Sequence, residues 1–316
     1  MKIAIVGAGG LGGYFGGRWA QAGLDVTFVA RGAQLEALRA QGLSIRSPLG
    51  DAQVEVRALP DPGEAGPMDL VVVATKTWQL PAAAASLAPL VGERTAVLST
   101  QNGVEAADVL AAALGRERVL AGTCRIISYV EAPGVIRHVG VAPTLTFGEV
   151  DGGISERARE ILDHLAGAPA ATVVLSPRIE VDLWEKFAFF TATSAIGAVT
   201  QVPVGVWRDI PALRALFTRA MAEAMAVARA RGVSLPEERL EAALRFLDGI
   251  PAAGTSSLQR DLRDGRRTEL EALSGAVVRL GAEAGVDTPV HATLYASLLP
   301  GELRARGERL VVQPPP

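Results

Sequence analysis

A glycine motif near the start of the sequence most restricts the fold that this chain can adopt. Gly7, Gly9 and Gly12 match the pattern G-x-G-x-x-G directly after a short β-rich run, and a helix-like stretch follows. In such a loop the first glycine permits a tight turn, the second lets a pyrophosphate approach the backbone, and the third allows close packing of helix on strand. With a second strand predicted at Asp25–Ala30, the context indicates dinucleotide binding at the helix amides. The alternative is a glycine-rich turn without a ligand.

The residues around this motif predict which dinucleotide is bound. The loop itself contributes Gly7, Gly9, Gly10, Leu11 and Gly12. An NAD enzyme usually places Asp or Glu at the end of the second strand, but this chain has Arg31 there and no acid. Because an arginine can pair with a 2′-phosphate, we predict NADP. Lys76, after the next clear strand, could also reach a cofactor phosphate. Either basic residue could instead be an ordinary surface side chain.

The spacing of apolar runs predicts the fold class. Strand-like and helix-like segments alternate over the first half of the chain, including apolar strands at Asp69–Ala74 and Thr95–Ser99. This alternation is typical of an α/β fold with a Rossmann-type doubly wound parallel sheet. The stretch from Val119 to Gly148 suggests an antiparallel excursion. After Pro177 nearly every segment is helix-like, which predicts an all-helical C-terminal domain. We therefore expect an NADP-binding domain at 1–176, a helical substrate and catalytic domain at 177–306, and a flexible tail at 307–316.

Composition excludes several classes of function. The 316 residues are 49% hydrophobic and carry a net charge of −3, so a sizeable core is expected and no basic face for nucleic acid is evident. Cys124 is the single cysteine, and the three histidines lack metal-ligand spacing, so we predict no metal site. No apolar run reaches the ~20 residues of a membrane span, and a cytoplasmic protein is expected. The apolar C-terminal helices could provide a homodimer face.

A lysine stands in a segment that otherwise looks built for burial. Between Leu183 and Val199, Glu185 and Lys186 are the charged residues, and the rest are apolar residues, Thr, Ser and Gly. Lys186 could extend its amine to the surface along apolar neighbours. Alternatively, it could protonate a carbonyl oxygen as hydride arrives at the carbon. Burial disfavours the charged amine, and a nearby carboxylate would favour it.

A second charged residue has an unexpected position. The pattern from Ser256 to Ala284 predicts one long helix, with Glu269 on its apolar stripe and Ser257 just off the same face. A carboxylate on a buried face needs a partner, so Glu269 and Lys186 invite pairing. Gly265 in the middle of such a helix costs about 1 kcal/mol and hints at a close approach. The alternative is a structural buried ion pair.

These residues together resemble the 2-dehydropantoate 2-reductase (ketopantoate reductase) family over essentially the whole chain. The resemblance rests on the glycine motif and on four further segments: Thr75–Gln79, Gln101-Asn102-Gly103, Leu183–Lys186 and Ser256–Glu269. It implies a Rossmann domain and a helical domain with the active site in the cleft between them.

The resemblance also implies roles for individual residues. Lys186 matches the catalytic lysine, and Glu269 matches the acid that holds the substrate hydroxyl and steadies that lysine. Asn102 matches an active-site asparagine; from its position alone it could bond the nicotinamide ribose, the substrate, or only its own turn. Ser257 matches a residue that helps to bind the substrate carboxylate. Arg31 and Lys76 match the residues that bind the NADPH phosphate.

Three substrate-contact positions depart from the family pattern. Phe190, Ser194 and Gly254 stand where the family usually has asparagine, although Ser194 remains a candidate substrate-binding residue. Altered hydrogen-bonding partners can mean an altered substrate. We therefore expect NADPH-dependent reduction of a branched 2-oxo acid, with 2-dehydropantoate as the first candidate. A paralogous reductase of another 2-oxo acid or β-keto substrate and a non-enzymatic NADP-binding sensor are the alternatives.

Overall fold

A computed structural model describes residues 1–308, which form two compact units. Unit 1 contains residues 1–101 and 105–182; unit 2 contains residues 102–104 and the chain from Leu183 onward. The division falls inside a helix, so one continuous element belongs to both units. Of the predicted tail at 307–316, residues 309–316 lie outside the described part of the chain.

Unit 1 is built on a mixed, largely parallel sheet. Its strands are β1 (Lys2–Val6), β2 (Asp25–Val29), β3 (Leu43–Arg46), β4 (Ala52–Val54), β5 (Arg57–Leu59), β6 (Met68–Val73), β7 (Val91–Ser99), β8 (Val119–Ala132), β9 (Val135–Glu149) and β10 (Thr172–Leu175). They are arranged in the order β4-β3-β9-β8-β7-β6-β1-β2-β5, and β10 also pairs with β9. The pairs β3–β4 and β8–β9 are antiparallel, and the remaining pairs are parallel. The predicted α/β class and the antiparallel excursion after Val119 are confirmed.

Five helices connect these strands. They are α1 (Gly10–Gln21), α2 (Gly32–Gln41), α3 (Leu80–Ser86), α4 (Ala106–Leu114) and α5 (Glu156–Leu165). Helix α1 is the most enclosed of them, because its glycines let the strands approach from two sides. A Cβ atom on Gly16 would lie 2.7 Å from a side-chain carbon of Ile5, and one on Gly17 would lie 2.6 Å from a side-chain carbon of Leu43. These contacts fix α1, and therefore the glycine loop before it, against the sheet.

From Leu183 onward, the described part of unit 2 consists of helices and the turns that join them. Its helices are α6 (Ile179–Thr200, from Leu183 onward), α7 (Val204–Trp207), α8 (Pro211–Ala230), α9 (Glu238–Gly249), α10 (Ser257–Arg263), α11 (Ser274–Ala284) and α12 (Pro289–Ala305). Their core includes Phe187, Trp207, Phe217 and Leu247, each with 2% of its surface exposed or less. No helix within residues 1–308 combines the length and the apolarity needed to cross a membrane.

The prediction of one helix from Ser256 to Ala284 was wrong. Helix α10 ends at Arg263, and Gly265 adopts the left-handed conformation with φ of +65°. The amide of Gly265 donates to the Leu262 carbonyl and that of Arg266 donates to the Asp261 carbonyl, which is a Schellman helix end. Gly265 therefore terminates a helix and does not mark a close approach within one. The stripe that placed Glu269 and Ser257 near one helical face does not exist.

Candidate functional site

The glycine loop of unit 1 has the geometry of a phosphate cradle. Gly7 follows β1 with φ of +107°, and a Cβ atom there would lie 2.9 Å from the backbone of Ala74 and Thr75. Gly12 is equally restricted, because its Cβ atom would collide with the Gly7 carbonyl. In contrast, a Cβ atom on Gly9 would meet nothing within 4 Å. The space over Gly9 is therefore open, as the approach of a pyrophosphate requires.

The N-terminus of α1 has the features of an anion-binding site. Gly9 is the N-cap residue, no side chain caps the helix, and its first turn holds no acidic residue. The first amides of a helix have no intrahelical acceptor, and its dipole favours a negative group there. Leu11 packs partly against the core, and a Cβ atom on Gly10 would lie 2.5 Å from the Ser128 carbonyl oxygen. Gly10 is thus required by packing under β8, whereas Gly9 leaves room for a ligand.

The two predicted phosphate-binding side chains follow strands on either side of β1. Arg31 is exposed at the N-terminus of α2, after β2, and no acidic residue stands between β2 and that helix. Lys76 is exposed after β6, with its Nζ 5.6 Å from the centre of the Trp78 ring. Strands β2 and β6 both pair with β1 in parallel, so their carboxyl ends lie at one edge of the sheet. This is the edge at which nucleotides bind in open α/β sheets.

Sequence reasoning missed a residue that fixes the glycine loop. Gln34 of α2 donates from Nε2 to the Ala8 carbonyl at 2.9 Å. Its Oε1 accepts from the amide of Gly134, in the turn between β8 and β9, also at 2.9 Å. Gln34 thereby ties the loop to the β8–β9 hairpin. A glutamine on an amphipathic helix carries no pattern that distinguishes it from a solvated side chain.

In unit 2, Lys186 lies on α6 in a half-buried position. Its neighbours Trp184 and Phe187 are buried and anchor this turn of the helix. The carboxylate of the preceding residue, Glu185, pairs with Arg239 of α9 at 3.1 Å. Glu185 and Lys186 therefore have different partners. The Lys186 amine lies 5.9 Å from the centre of the Phe190 ring, one turn further along. An aromatic face therefore stands beside the amine where the family pattern has an amide.

Asn102 joins Lys186 to Glu269. The Lys186 Nζ donates to Asn102 Oδ1 at 3.2 Å, and Asn102 Nδ2 donates to Glu269 Oε2 at 2.9 Å. The Asn102 oxygen thus faces the lysine amine and the Asn102 nitrogen faces the carboxylate. These two bonds fix the orientation of the amide group, because its oxygen can only accept and its nitrogen can only donate. Gly103 is needed next to it, because with φ of +93° a Cβ atom would lie 2.9 Å from the Ala272 carbonyl oxygen. The Asn-Gly pair is therefore more than a generic turn.

Glu269 is held by an irregular segment and not by a long helix. It precedes the 3₁₀ turn Leu270–Ala272, and 7% of its surface is exposed. Its backbone carbonyl accepts from the amides of Ala272 and Leu273, both at 3.1 Å. The sequence correctly indicated a buried carboxylate here, although the reason given for its burial was wrong.

The two predicted substrate-binding serines have different surroundings. Ser257 is the first residue of α10 and is half-buried, and the capping role belongs to Ser256, whose Oγ accepts from the Gln259 amide at 3.1 Å. The Ser257 hydroxyl therefore need not cap the helix. Ser194 on α6 is fully buried, and its Oγ finds no hydrogen-bonding partner in the described part of the chain. A substrate could reach Ser194 only after local repacking.

The two halves of the chain supply complementary chemistry. Unit 1 offers an open, uncapped helix N-terminus and two exposed basic side chains, which fit the diphosphate and 2′-phosphate of a dinucleotide. Unit 2 offers an ammonium, an amide and a carboxylate in one hydrogen-bonded series. Such a series can donate a proton and hold a polar substrate group.

Comparisons with known proteins match both halves of the chain to one family. The family profile described as Ketopantoate reductase PanE/ApbA matches residues 3–152, and its C-terminal counterpart matches residues 178–301. The chain is 32% identical to the uncharacterized oxidoreductase YkpB of Bacillus subtilis, over 94% of this chain and 98% of that protein. It is 33% identical to a 2-dehydropantoate 2-reductase of Halobacterium salinarum, over 93% of this chain and 96% of the relative.

Solved structures share the fold over nearly the full length. The crystal structure of a PanE/ApbA family ketopantoate reductase from Ralstonia eutropha JMP134 superposes with a TM-score of 0.88 at 33% identity, covering 97% of this chain and all of the other. A ternary structure of D-mandelate dehydrogenase with NADH and anilino(oxo)acetate also gives 0.88, covering 97% of this chain and 99% of that one. Its 21% identity limits the likeness to the fold. The chain belongs to the ketopantoate reductase family of oxidoreductases.

Proposed function

We propose that this protein reduces a branched 2-oxo acid with NADPH, and that the substrate is 2-dehydropantoate, which becomes (R)-pantoate in pantothenate synthesis. The observation that carries the proposal is the series from Lys186 through Asn102 to Glu269. It supplies a proton donor and an oriented carboxylate, the two groups that reduction of a hydroxylated ketone needs from a protein. The helical residues 177–306 are proposed as the substrate and catalytic domain.

The residues of unit 1 support NADP as the cofactor. The open Gly9 and the uncapped first turn of α1, including Gly10, Leu11 and Gly12, would hold the pyrophosphate. Arg31 and Lys76 would pair with the 2′-phosphate, and the missing acid after β2 removes the usual partner of a free ribose 2′-hydroxyl. When bound, NADPH supplies the hydride that is added to the substrate carbonyl carbon.

Lys186 completes the reaction by donating a proton to the carbonyl oxygen. Lysine and arginine together number 31 in this chain, but the lysines are Lys2, Lys76 and Lys186 alone. Arginine provides the positive charge at most other positions, yet its guanidinium does not release a proton in proteins. A lysine at position 186 therefore meets a need that arginine cannot. The amine left after transfer regains its proton from solvent.

Glu269 and Asn102 would orient the substrate. The Glu269 carboxylate accepts a hydrogen bond from Asn102, and it is proposed to accept another from a substrate hydroxyl. Asn102 keeps the lysine amine in place and is also proposed to contact the nicotinamide ribose. The Ser257 hydroxyl, free of the capping role, is proposed for the substrate carboxylate. Ser194 stays a predicted substrate contact that requires repacking.

Phe190 favours a second candidate, the reduction of a different 2-oxo acid. Its ring lies 5.9 Å from the Lys186 amine and would face a substrate there with an apolar surface. A site that exchanges an amide for an aromatic ring loses its preference for a hydroxyl and gains one for an apolar side chain.

Substrate-dependent oxidation of NADPH by purified protein decides between these functions. We expect the highest kcat/KM with 2-dehydropantoate among a panel of 2-oxo acids that differ in side-chain polarity. If a 2-oxo acid with an apolar or aromatic side chain is preferred, the second candidate replaces the first. Tight NADPH binding without turnover on any panel member would contradict both and indicate a sensor. A homodimer and a cytoplasmic location stay predictions.

A further inference from the structure

A fully buried carboxylate holds the residue immediately before Glu269. Glu302 of α12 has none of its surface exposed. Its Oε2 accepts from the Thr268 amide at 2.8 Å and from the Thr268 hydroxyl at 2.6 Å, and its Oε1 accepts from Arg306 Nε at 2.8 Å. We name Thr268, Glu302 and Arg306 the threonine clamp.

A clamp of this kind has a cost that its partners must offset. A buried carboxylate is unfavourable unless it is paired and hydrogen-bonded. Arg306, one helical turn after Glu302, supplies the opposite charge, and its second branch also pairs with Glu271 at 3.1 Å. Glu302 accepts two hydrogen bonds from one threonine, 34 residues earlier in the chain. A buried carboxylate with two bonds to the same residue indicates that the position of Thr268 matters.

The segment that contains Thr268 needs such anchoring because regular structure does not hold it. Between the end of α10 at Arg263 and the start of α11 at Ser274 there is only the 3₁₀ turn Leu270–Ala272. The Thr268 hydroxyl, while it donates to Glu302, also accepts from the Leu270 amide at 3.2 Å. The Thr268 hydroxyl therefore links the residues on both sides of Glu269: it belongs to Thr268 and it accepts from the amide of Leu270.

We propose that Thr268 and Glu302 are positioning residues for Glu269, and through Asn102 for the amine of Lys186. This inference rests on the function proposed above for Lys186 and Glu269. The path is continuous: Glu302 fixes Thr268, the next residue is Glu269, and Glu269 bonds Asn102, which bonds Lys186. Neither positioning residue needs to touch the substrate.

A matched pair of variants separates positioning from bulk stability. Thr268→Val keeps the shape but removes the hydroxyl, whereas Thr268→Ser keeps the hydroxyl. A displacement of about 1 Å at a catalytic group can cost about 100-fold in rate. We expect kcat of Thr268→Val to fall about 10- to 100-fold and that of Thr268→Ser to stay within about threefold of the wild type. Ser297→Ala, which removes an exposed hydrogen bond to the Thr293 carbonyl on the same helix and touches no clamp residue, should keep wild-type kcat.

The lysine content of the chain gives a readout that does not depend on turnover. With only Lys2, Lys76 and Lys186 present, isotope-labelled lysine gives three side-chain NMR signals. The pH midpoint at which the Lys186 signal titrates should move in Thr268→Val and not in Thr268→Ser. A purely structural role would leave that midpoint unchanged in the folded protein.

The outcomes are distinct. If Thr268→Val matches Thr268→Ser in both kcat and the Lys186 midpoint, the inference is overturned. If Thr268→Val does not fold, Thr268→Ala takes its place under the same two criteria, since it removes the same hydroxyl and leaves a smaller side chain. If the wild type turns over no 2-oxo acid, the proposed function fails, and the Lys186 titration alone still decides the positioning role.

Discussion

His291 provides a prediction whose magnitude follows from the structure. It lies in the first turn of α12 with none of its surface exposed. Its Nε2 lies 2.9 Å from the Ala220 carbonyl, while Nδ1 has no hydrogen-bonding partner in the described part of the chain. Burial lowers the pKa of His291 from 6.5 to about 4, against a smaller opposing effect of the Ala220 carbonyl. The folded protein therefore keeps this histidine neutral.

The sign of the pH dependence follows from proton binding. Because the pKa is depressed on folding, the unfolded chain binds a proton at His291 before the folded one does. The contribution of His291 is fully present above pH 6.5, its unfolded value, and is lost as the pH falls towards about 4. Each unit of separation is equivalent to about 1.4 kcal/mol, so the loss reaches about 2 kcal/mol at pH 5 and about 3 kcal/mol at pH 4.

Urea unfolding at a series of pH values measures this loss by comparison of variants. His291→Gln can still donate to the Ala220 carbonyl but cannot ionise, so its stability should fall less than that of the wild type by the amounts above. His164→Gln, at an exposed histidine, is the matched control and should keep the wild-type pH slope. If His291→Gln and the wild type lose stability in parallel, or if His291 titrates near 6.5 in the folded protein, the reasoning is refuted.

Four further substitutions test the separate parts of the proposed site. Gly9→Ala should leave the melting temperature unchanged, because a Cβ atom there meets only open space, and should weaken NADPH binding, because that space is proposed for the pyrophosphate. Gly10→Ala should instead cost about 1–3 kcal/mol of stability in thermal unfolding, because its Cβ atom would collide with Ser128. Equal melting temperatures for the two variants would contradict this. Arg31→Ala should weaken NADPH binding about 10- to 100-fold in a fluorescence titration and leave NADH binding nearly unchanged, and an equal loss for both cofactors would rule out 2′-phosphate recognition. Phe190→Asn should raise the kcat/KM ratio of 2-dehydropantoate over an apolar 2-oxo acid in competition assays, and an unchanged ratio would show that Phe190 does not select the substrate.

Much of the fold could be predicted because its signals are local. Strands β1, β2, β6 and β7 are apolar runs, and the pattern that separates them from helices lies within about ten residues. The short strands β3, β4 and β5 were missed, since three or four residues at a sheet edge carry too little alternation to be recognised.

For the candidate site, the sequence indicated residue types but not their contacts. Lys186 and Glu269 stood out because a charge in an apolar context is rare, and the family resemblance identified Asn102. The bridge from Asn102 to Glu269 spans 167 residues of sequence, and no periodic pattern encodes a contact at that separation. The break after Arg263 was readable in principle from Gly265 as a helix-ending glycine. Glu302, the residue that replaces helical hydrogen bonds there, could be found only from coordinates.

The central claim is that the Lys186 amine donates the proton that completes the reduction. Lys186→Arg tests it most directly, because arginine keeps the positive charge but does not release a proton. With the preferred 2-oxo acid and saturating NADPH, we predict that kcat falls by about 100-fold or more while the dissociation constant for NADPH stays within about threefold. Turnover by Lys186→Arg close to that of the wild type would contradict the account.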